Sequence, residues 1–122
     1  MAWDFDSSIP IYLQIIDIVK AQIASGQLTP GGKMPSVRDM AVEFGVNPNT
    51  MQKALSELER DGLVYSQRTS GRFVTEDVEM IKTLRNTLAH EQIDKLLNGM
   101  LQMGYQKEEL IELIEQHLKE MK

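Results

Sequence analysis

Seven polar residues between positions 36 and 53 have side chains suited to contacting double-stranded DNA. They are Ser36, Arg38, Asn47, Asn49, Thr50, Gln52 and Lys53. Arginine and lysine pair with guanine edges, asparagine and glutamine pair with adenine, and serine and threonine bond to either base. Arginine and lysine also bind phosphates. The types and spacing of these residues therefore indicate a DNA-reading surface.

Two short helices joined by a tight turn must position these side chains. Ser36 suits the N-cap of the first helix, and Gly45 suits its left-handed end. Asn47 suits the N-cap of the second helix, with Pro48 at the first helical position. A stripe of apolar residues at helical spacing defines the inner face of the first helix: Val37, Met40, Ala41 and Phe44. This pattern predicts a helix-turn-helix, whose second helix enters the DNA major groove by its N-terminal residues.

The motif has predicted elements on both sides. Apolar periodicity predicts a helix from Pro10 to Ser25, and the second helix of the motif is expected to run from Pro48 to about Asp61. Strand-like patterns at residues 63–67 and 72–75 then predict a hairpin, the wing of a winged helix-turn-helix. The residues expected at its tip to approach the nucleic-acid backbone are Arg68, Gly71 and Arg72.

From Asp77 onwards the pattern is helical again, with a break at residues 103–105. Two helices cannot enclose a core of their own, and their surplus apolar surface is expected to pack against a second copy of the chain. The alternative is that they fold back on their own helix-turn-helix. The residues expected to form the dimer interface are Ile81, Leu84, Leu88, Leu96, Leu97, Leu110, Ile114 and Leu118.

Composition limits the function classes without selecting one. The net charge is −5, but residues 1–75 carry seven Lys/Arg against eight acids, whereas residues 76–122 carry six against ten. Local charge placement matters more for phosphate binding than this overall balance. The chain has no cysteine, and it has neither a signal-peptide pattern nor an apolar run long enough to cross a membrane. We therefore expect a cytoplasmic protein with no membrane partner.

The sequence predicts neither an enzyme nor a metal or cofactor site. The only histidines, His90 and His117, lie on predicted helices, where solvated histidines are the ordinary case. No Ser/His/Asp order, phosphate-cradling loop or pair of carboxylates indicates catalysis. The expected fold is mainly α with a small β-hairpin. It comprises a winged helix-turn-helix at residues 1–75 and a two-helix dimerisation region at residues 76–122.

Residues 9–75 resemble the GntR family of bacterial transcription regulators. Five separated motifs carry the resemblance in the family's order: Pro10-Ile11-Tyr12-Leu13-Gln14-Ile15, Met34-Pro35-Ser36-Val37-Arg38, Val46-Asn47-Pro48-Asn49-Thr50, Ala54-Leu55-Ser56-Glu57-Leu58-Glu59-Arg60-Asp61-Gly62-Leu63 and Ser70-Gly71-Arg72-Phe73-Val74. The Asn-Pro-Asn-Thr run and the short two-helix tail are similar to the YtrA subfamily.

The resemblance implies a homodimeric repressor that binds operator DNA, often at operons encoding ABC transporters, and it implies a DNA contact for Arg38. We expect the operator to be an inverted repeat. A small-molecule effector of unknown identity stays open as a further partner. Instead of contacting DNA, Arg38 could form a surface ion pair with Asp39 or Glu43, and Gln52 and Lys53 could simply be solvated. The alternative function for the whole chain is a winged-helix protein-interaction module without specific DNA binding.

Overall fold

The computed structural model describes residues 3–122, and so the first two residues of the predicted N-terminal domain, Met1 and Ala2, lie outside the described residues. The elements follow one another along the chain as α1 (Ile11–Ser25), α2 (Val37–Phe44), α3 (Pro48–Arg60), β1 (Val64–Gln67), β2 (Gly71–Val74), α4 (Val78–Gln102) and α5 (Lys107–Glu120). The prediction of a mainly α fold with one small β-hairpin is confirmed. Helix α1 begins at Ile11 because Pro10 is its N-cap residue, and α3 ends at Arg60 with Asp61 as its C-cap.

Helices α1, α2 and α3 enclose the core of the first compact unit, which extends to Arg85. Their fully buried side chains lie on the inner faces that the apolar stripes mark, and the largest of them include Ile15, Phe44, Met51 and Leu55. Apolar burial of this kind is the main force that holds such small helical units together. The core therefore fixes α3 in place while leaving its outer face to solvent.

Strands β1 and β2 form an antiparallel hairpin, in which Val64 pairs with Val74 and Gln67 pairs with Gly71. At the base of the hairpin, β2 also bonds to the segment before α2. The Met34 N–H donates to the Arg72 carbonyl oxygen at 2.9 Å, and the Val74 N–H donates to the Gly32 carbonyl oxygen at 2.9 Å. These bonds anchor the base of the hairpin beside the start of α2.

The first turns of α4 belong to this same unit, which bears on one residue expected at a dimer interface. Ile81, expected at a dimer interface, is only 6% exposed and is part of the core cluster that includes α1 and α3 residues. Leu84 and Met80 are partly buried against the same cluster. Helical periodicity showed that these positions share one apolar face but did not specify which surface would cover that face. The compact unit thus continues beyond Thr75 into α4.

The second compact unit contains residues Asn86–Lys122, comprising the rest of α4 and all of α5. At the start of helix α5 the Glu109 side chain accepts from the Gln106 N–H at 2.9 Å, and the Glu109 N–H donates to the Gln106 carbonyl oxygen at 3.0 Å. Between the two helices, α4 and α5 residues line an apolar groove of about 420 Å³, formed by Leu96, Met100, Leu113, Ile114, His117 and Leu118.

Candidate nucleic-acid interface

Two side-chain caps fix the starts of α2 and α3. The Ser36 hydroxyl oxygen accepts a hydrogen bond from the Asp39 N–H at 3.1 Å, and the Asn47 carboxamide oxygen accepts from the Asn49 N–H at 2.7 Å. Each cap satisfies an N–H that has no partner within its helix. The first function of Ser36 and Asn47 is therefore structural, although both side chains are exposed and keep a donor group free.

The first turn of α3 presents polar side chains and an uncompensated helix dipole. Asn49, Gln52 and Lys53 are exposed and Thr50 is half-buried, while Arg38 is exposed on the first turn of α2. No acidic residue lies in the first turn of α3. The partial positive charge at this helix end is thus available to an anion such as a phosphate.

Two of these residues already have partners on the protein. The Gln52 amide nitrogen donates to the Ser56 hydroxyl oxygen at 3.1 Å, one helical turn further on. The Lys53 ammonium lies 4.0 Å from the centre of the Tyr12 ring, which is a cation–π contact. Tyr12 and Lys53 also line a cleft of about 470 Å³ between α1 and α3. Sequence reasoning missed Tyr12 as a site residue, because it treated the helix from Pro10 to Ser25 only as an element beside the motif.

A second cleft, of about 550 Å³, separates the start of α2 from the wing. It brings together three cationic side chains, those of Lys33, Arg68 and Arg72, with Ser36 on its wall. Lys33 was not predicted as a site residue, since only its backbone bridge to Phe73 places it beside the wing. Gly71 begins β2 directly after the turn, with a φ of +105° that favours glycine over other residues.

The two wing arginines differ in their surroundings. Arg68 is exposed and has no ion-pair or hydrogen-bond partner within residues 3–122. In contrast, the Arg72 Nε donates to Glu59 Oε1 at 3.2 Å, and the Arg72 side chain is only 18% exposed. The Ser66 hydroxyl donates to the same carboxylate oxygen at 2.7 Å. Sequence reasoning missed Glu59, which lies thirteen residues before Arg72.

Hydrogen bonding holds the pKa of Glu59 below its ordinary value. The Ser66 hydroxyl has the largest effect, burial opposes it with the second largest, and the hydrogen bond and positive charge of Arg72 lower the pKa further by smaller amounts. Glu59 is therefore ionised at neutral pH and compensates the charge of Arg72. Within residues 3–122, the cations of the interface that have no acidic partner include Arg38, Lys33 and Arg68, and Lys53 lies on the Tyr12 ring.

The apolar residues expected at a dimer interface are divided by their exposure. In residues 86–122, Leu96 is 52% exposed and Leu118 is 61% exposed, and both line the groove between α4 and α5. Leu88, Leu97 and Ile114 are half-buried, whereas Leu110 is buried within its own chain. Exposed leucines beside an apolar groove form the kind of patch that a partner surface covers.

The described residues were compared with the requirements of a metal site and of a membrane-spanning helix. Within residues 3–122, no group of three or more His, Cys, Asp or Glu side chains is arranged to hold a metal ion, and His90 and His117 are both exposed. None of the helices over the same residues is long and apolar enough to cross a membrane.

Residues 11–74 match the family model described as bacterial regulatory proteins, gntR family. Two curated relatives from Bacillus subtilis cover most of both chains. An uncharacterized HTH-type transcriptional regulator, YhcF, is 43% identical over 88% of this chain and 89% of its own. The HTH-type transcriptional repressor YtrA is 37% identical over 90% of this chain and 85% of its own.

Solved structures are similar to this chain over most of its length or over a shorter part of it. A GntR family transcriptional regulator from Listeria monocytogenes has a TM-score of 0.83 and 36% identity, covering 92% of this chain and 98% of its own. The AraR DNA-binding domain, solved in complex with operator ORX1, has a TM-score of 0.56 and 28% identity, covering 62% of this chain and 95% of its own. The fold of a domain seen on operator DNA is thus shared by this chain.

Proposed function

This chain belongs to the gntR family of bacterial regulatory proteins, and from this premise we propose that it is a sequence-specific DNA-binding repressor of transcription. The observation that carries the proposal is the first turn of α3. Its dipole is uncompensated, its Asn49 is exposed and its Thr50 half-buried, and Arg38 lies exposed on the neighbouring helix. The proposed function includes no catalytic activity. Since its partner is the bacterial chromosome, we place the protein in the cytoplasm.

In this proposal α3 enters the major groove, where Arg38, Asn49, Thr50 and Gln52 contact bases or phosphates. Lys53, held on Tyr12, contributes positive charge beside them. Lys33 and Arg68 approach the phosphate backbone from the cleft between α2 and the wing. Base contacts supply specificity and phosphate contacts supply orientation, so the two groups of residues have separable effects.

We further propose that the protein acts as a homodimer formed by residues 86–122. The supporting observations are the exposed Leu96 and Leu118 at an apolar groove, and the exposed Ile93 and Ile111 on the same two helices. Ile81 and Leu84 are removed from the proposed interface, because they pack on the core of their own unit. Two linked units would meet the half-sites of an inverted repeat about one helical turn apart, roughly 34–36 Å.

Selection of binding sites from genomic fragments, followed by titration of the full chain with the selected site and with random DNA, tests the function. We expect the selected site to be bound at least about 10³-fold more tightly than random DNA. Affinity for both should fall as salt rises. Absence of salt-dependent DNA binding, together with capture of a protein partner, would instead support a protein-interaction module.

Sedimentation of the full chain tests the dimer. We expect a dimer in the parent chain and a monomer in Leu96→Asp and Leu118→Asp variants, because a carboxylate in an apolar interface would be desolvated without a partner. Glu115→Ala is the matched control on α5, and it should leave the dimer intact. A parent chain that sediments as a monomer at all accessible concentrations would refute this interface.

A further inference from the structure

The carboxylate of Glu59 joins the recognition helix α3 to the wing. Its Oε1 accepts from the Ser66 hydroxyl at 2.7 Å and from the Arg72 Nε at 3.2 Å. Ser66 and Arg72 are directly opposite each other in the hairpin, one on each strand. A single oxygen on α3 therefore contacts both strands of the wing at the same level.

This contact lies on the outer half of the hairpin. The base is anchored by backbone bonds between β2 and residues 32–34. The Ser66–Arg72 pair lies nearer the turn, with only the Gln67–Gly71 pair beyond it. Because side chains alternate along strands, Ser66 and Arg72 share the face of the buried Val64 and Val74. The backbone bonds already reach Arg72, whose carbonyl oxygen accepts from the Met34 N–H, and they involve β2 alone. The Glu59 contact adds at this level a link from α3 to both strands of the wing.

We propose that Glu59 is a positioning residue, which holds the outer wing at a fixed angle to α3 so that Arg68 and the start of α3 engage DNA together. Arg72 is the partner of Glu59 in this arrangement and not a principal phosphate contact. The inference rests on the proposed DNA-binding function. It is supported by the contacts of the Glu59 carboxylate with Ser66 and Arg72. The lowered pKa of Glu59 means in addition that this carboxylate is charged at neutral pH.

The sign of one mutational effect separates this proposal from a direct phosphate contact by Arg72. An acid beside a phosphate-binding arginine repels DNA and competes for the cation, so its removal should strengthen binding. If Glu59 instead positions the wing, its removal should weaken binding, although the protein then carries one negative charge fewer. The control is Glu57→Ala, which removes the same charge from the same helix, where Glu57 pairs with Arg60 and not with the wing.

Titration with operator DNA forms the first arm of the experiment. We expect Glu59→Ala to weaken binding by about threefold to tenfold, the effect of losing charge-assisted contacts that are partly exposed to water. Glu59→Gln should restore part of the loss, since its amide oxygen can still accept from Ser66 and Arg72. Glu57→Ala should bind as tightly as the parent chain or more tightly. Binding by Glu59→Ala that equals or exceeds that of the parent chain would overturn the proposal.

Label distances in the free protein form the second arm. The chain has no cysteine, so Ala21→Cys on α1 and Thr69→Cys at the wing tip introduce a single pair of spin labels within one compact unit. We expect the distance distribution to broaden when Glu59→Ala is added and to stay unchanged with Glu57→Ala. An unchanged distribution in Glu59→Ala would overturn the proposal. A parent chain that binds no DNA would refute the proposed function, whereas the label distances would still decide the role of Glu59.

Discussion

Replacing Arg68 with alanine should reduce the salt dependence of DNA binding by the equivalent of one phosphate contact for each DNA-bound protomer. Arg68 is the exposed cation of the wing tip and has no acidic partner within residues 3–122. Its charge is therefore fully available, whereas the charge of Arg72 is compensated by Glu59 at 3.2 Å. The structure thus predicts that one wing arginine, and not two, contributes a full phosphate contact.

The magnitude follows from counterion release. Each neutralised phosphate contributes about −0.9 to the slope of log K against log salt concentration. Over a fourfold rise in salt, from about 50 to about 200 mM, loss of one contact per protomer changes the ratio of parent to variant affinity by about 3.5-fold for each DNA-bound protomer, or about 12-fold for a dimer. The penalty should be larger at the lower salt concentration. Random and operator DNA should show similar changes in slope, because a phosphate contact does not depend on the base sequence.

Fluorescence anisotropy with labelled random DNA across this salt range measures the slope. Arg60→Ala is the matched control, since Arg60 lies at the far end of α3, is 75% exposed and pairs with Glu57. We expect the control slope to equal that of the parent chain. A slope in Arg68→Ala that is indistinguishable from the parent would refute the placement of the wing tip on the phosphate backbone.

Three further predictions concern base contacts, helix capping and the extent of the first unit. Arg38→Ala and Asn49→Ala should each weaken operator binding by about 1–3 kcal/mol with little change in melting temperature. DNA titration measures the loss of binding, and thermal unfolding of the same variants shows whether misfolding causes it. Asn47→Ala should lower the free energy of unfolding in urea by about 1 kcal/mol because α3 loses its cap, and an unchanged midpoint would contradict this. A chain ending at Arg85 should be a folded monomer. A chain ending at Thr75 should unfold at a lower urea concentration, because it lacks the core residues of α4. Equal urea midpoints of the two chains would contradict the packing of α4 on the core.

Local sequence patterns determined the elements of this protein. The caps at Ser36 and Asn47 form as their residue types predict, and Gly45 ends α2 in the left-handed conformation with a φ of +70°. Helix hydrogen bonds and caps join residues three or four positions apart, so the information that specifies them is contained in short stretches of sequence. The start of the recognition helix and its exposed polar residues could therefore be predicted without a structure.

Tertiary structure decided how several residues at the interface are used. Periodicity placed Ile81 on an apolar face, but only packing shows that this face covers the core of its own unit. Composition counted Lys33 and Arg72 as two positive charges, but Lys33 lies beside the wing through its bridge to Phe73, and Arg72 is bonded to Glu59. These contacts join residues far apart in the chain, and they depend on how α3 and the hairpin pack together. The sequence therefore determined which side chains the interface contains, and the long-range packing decided which of their charges are free to meet DNA.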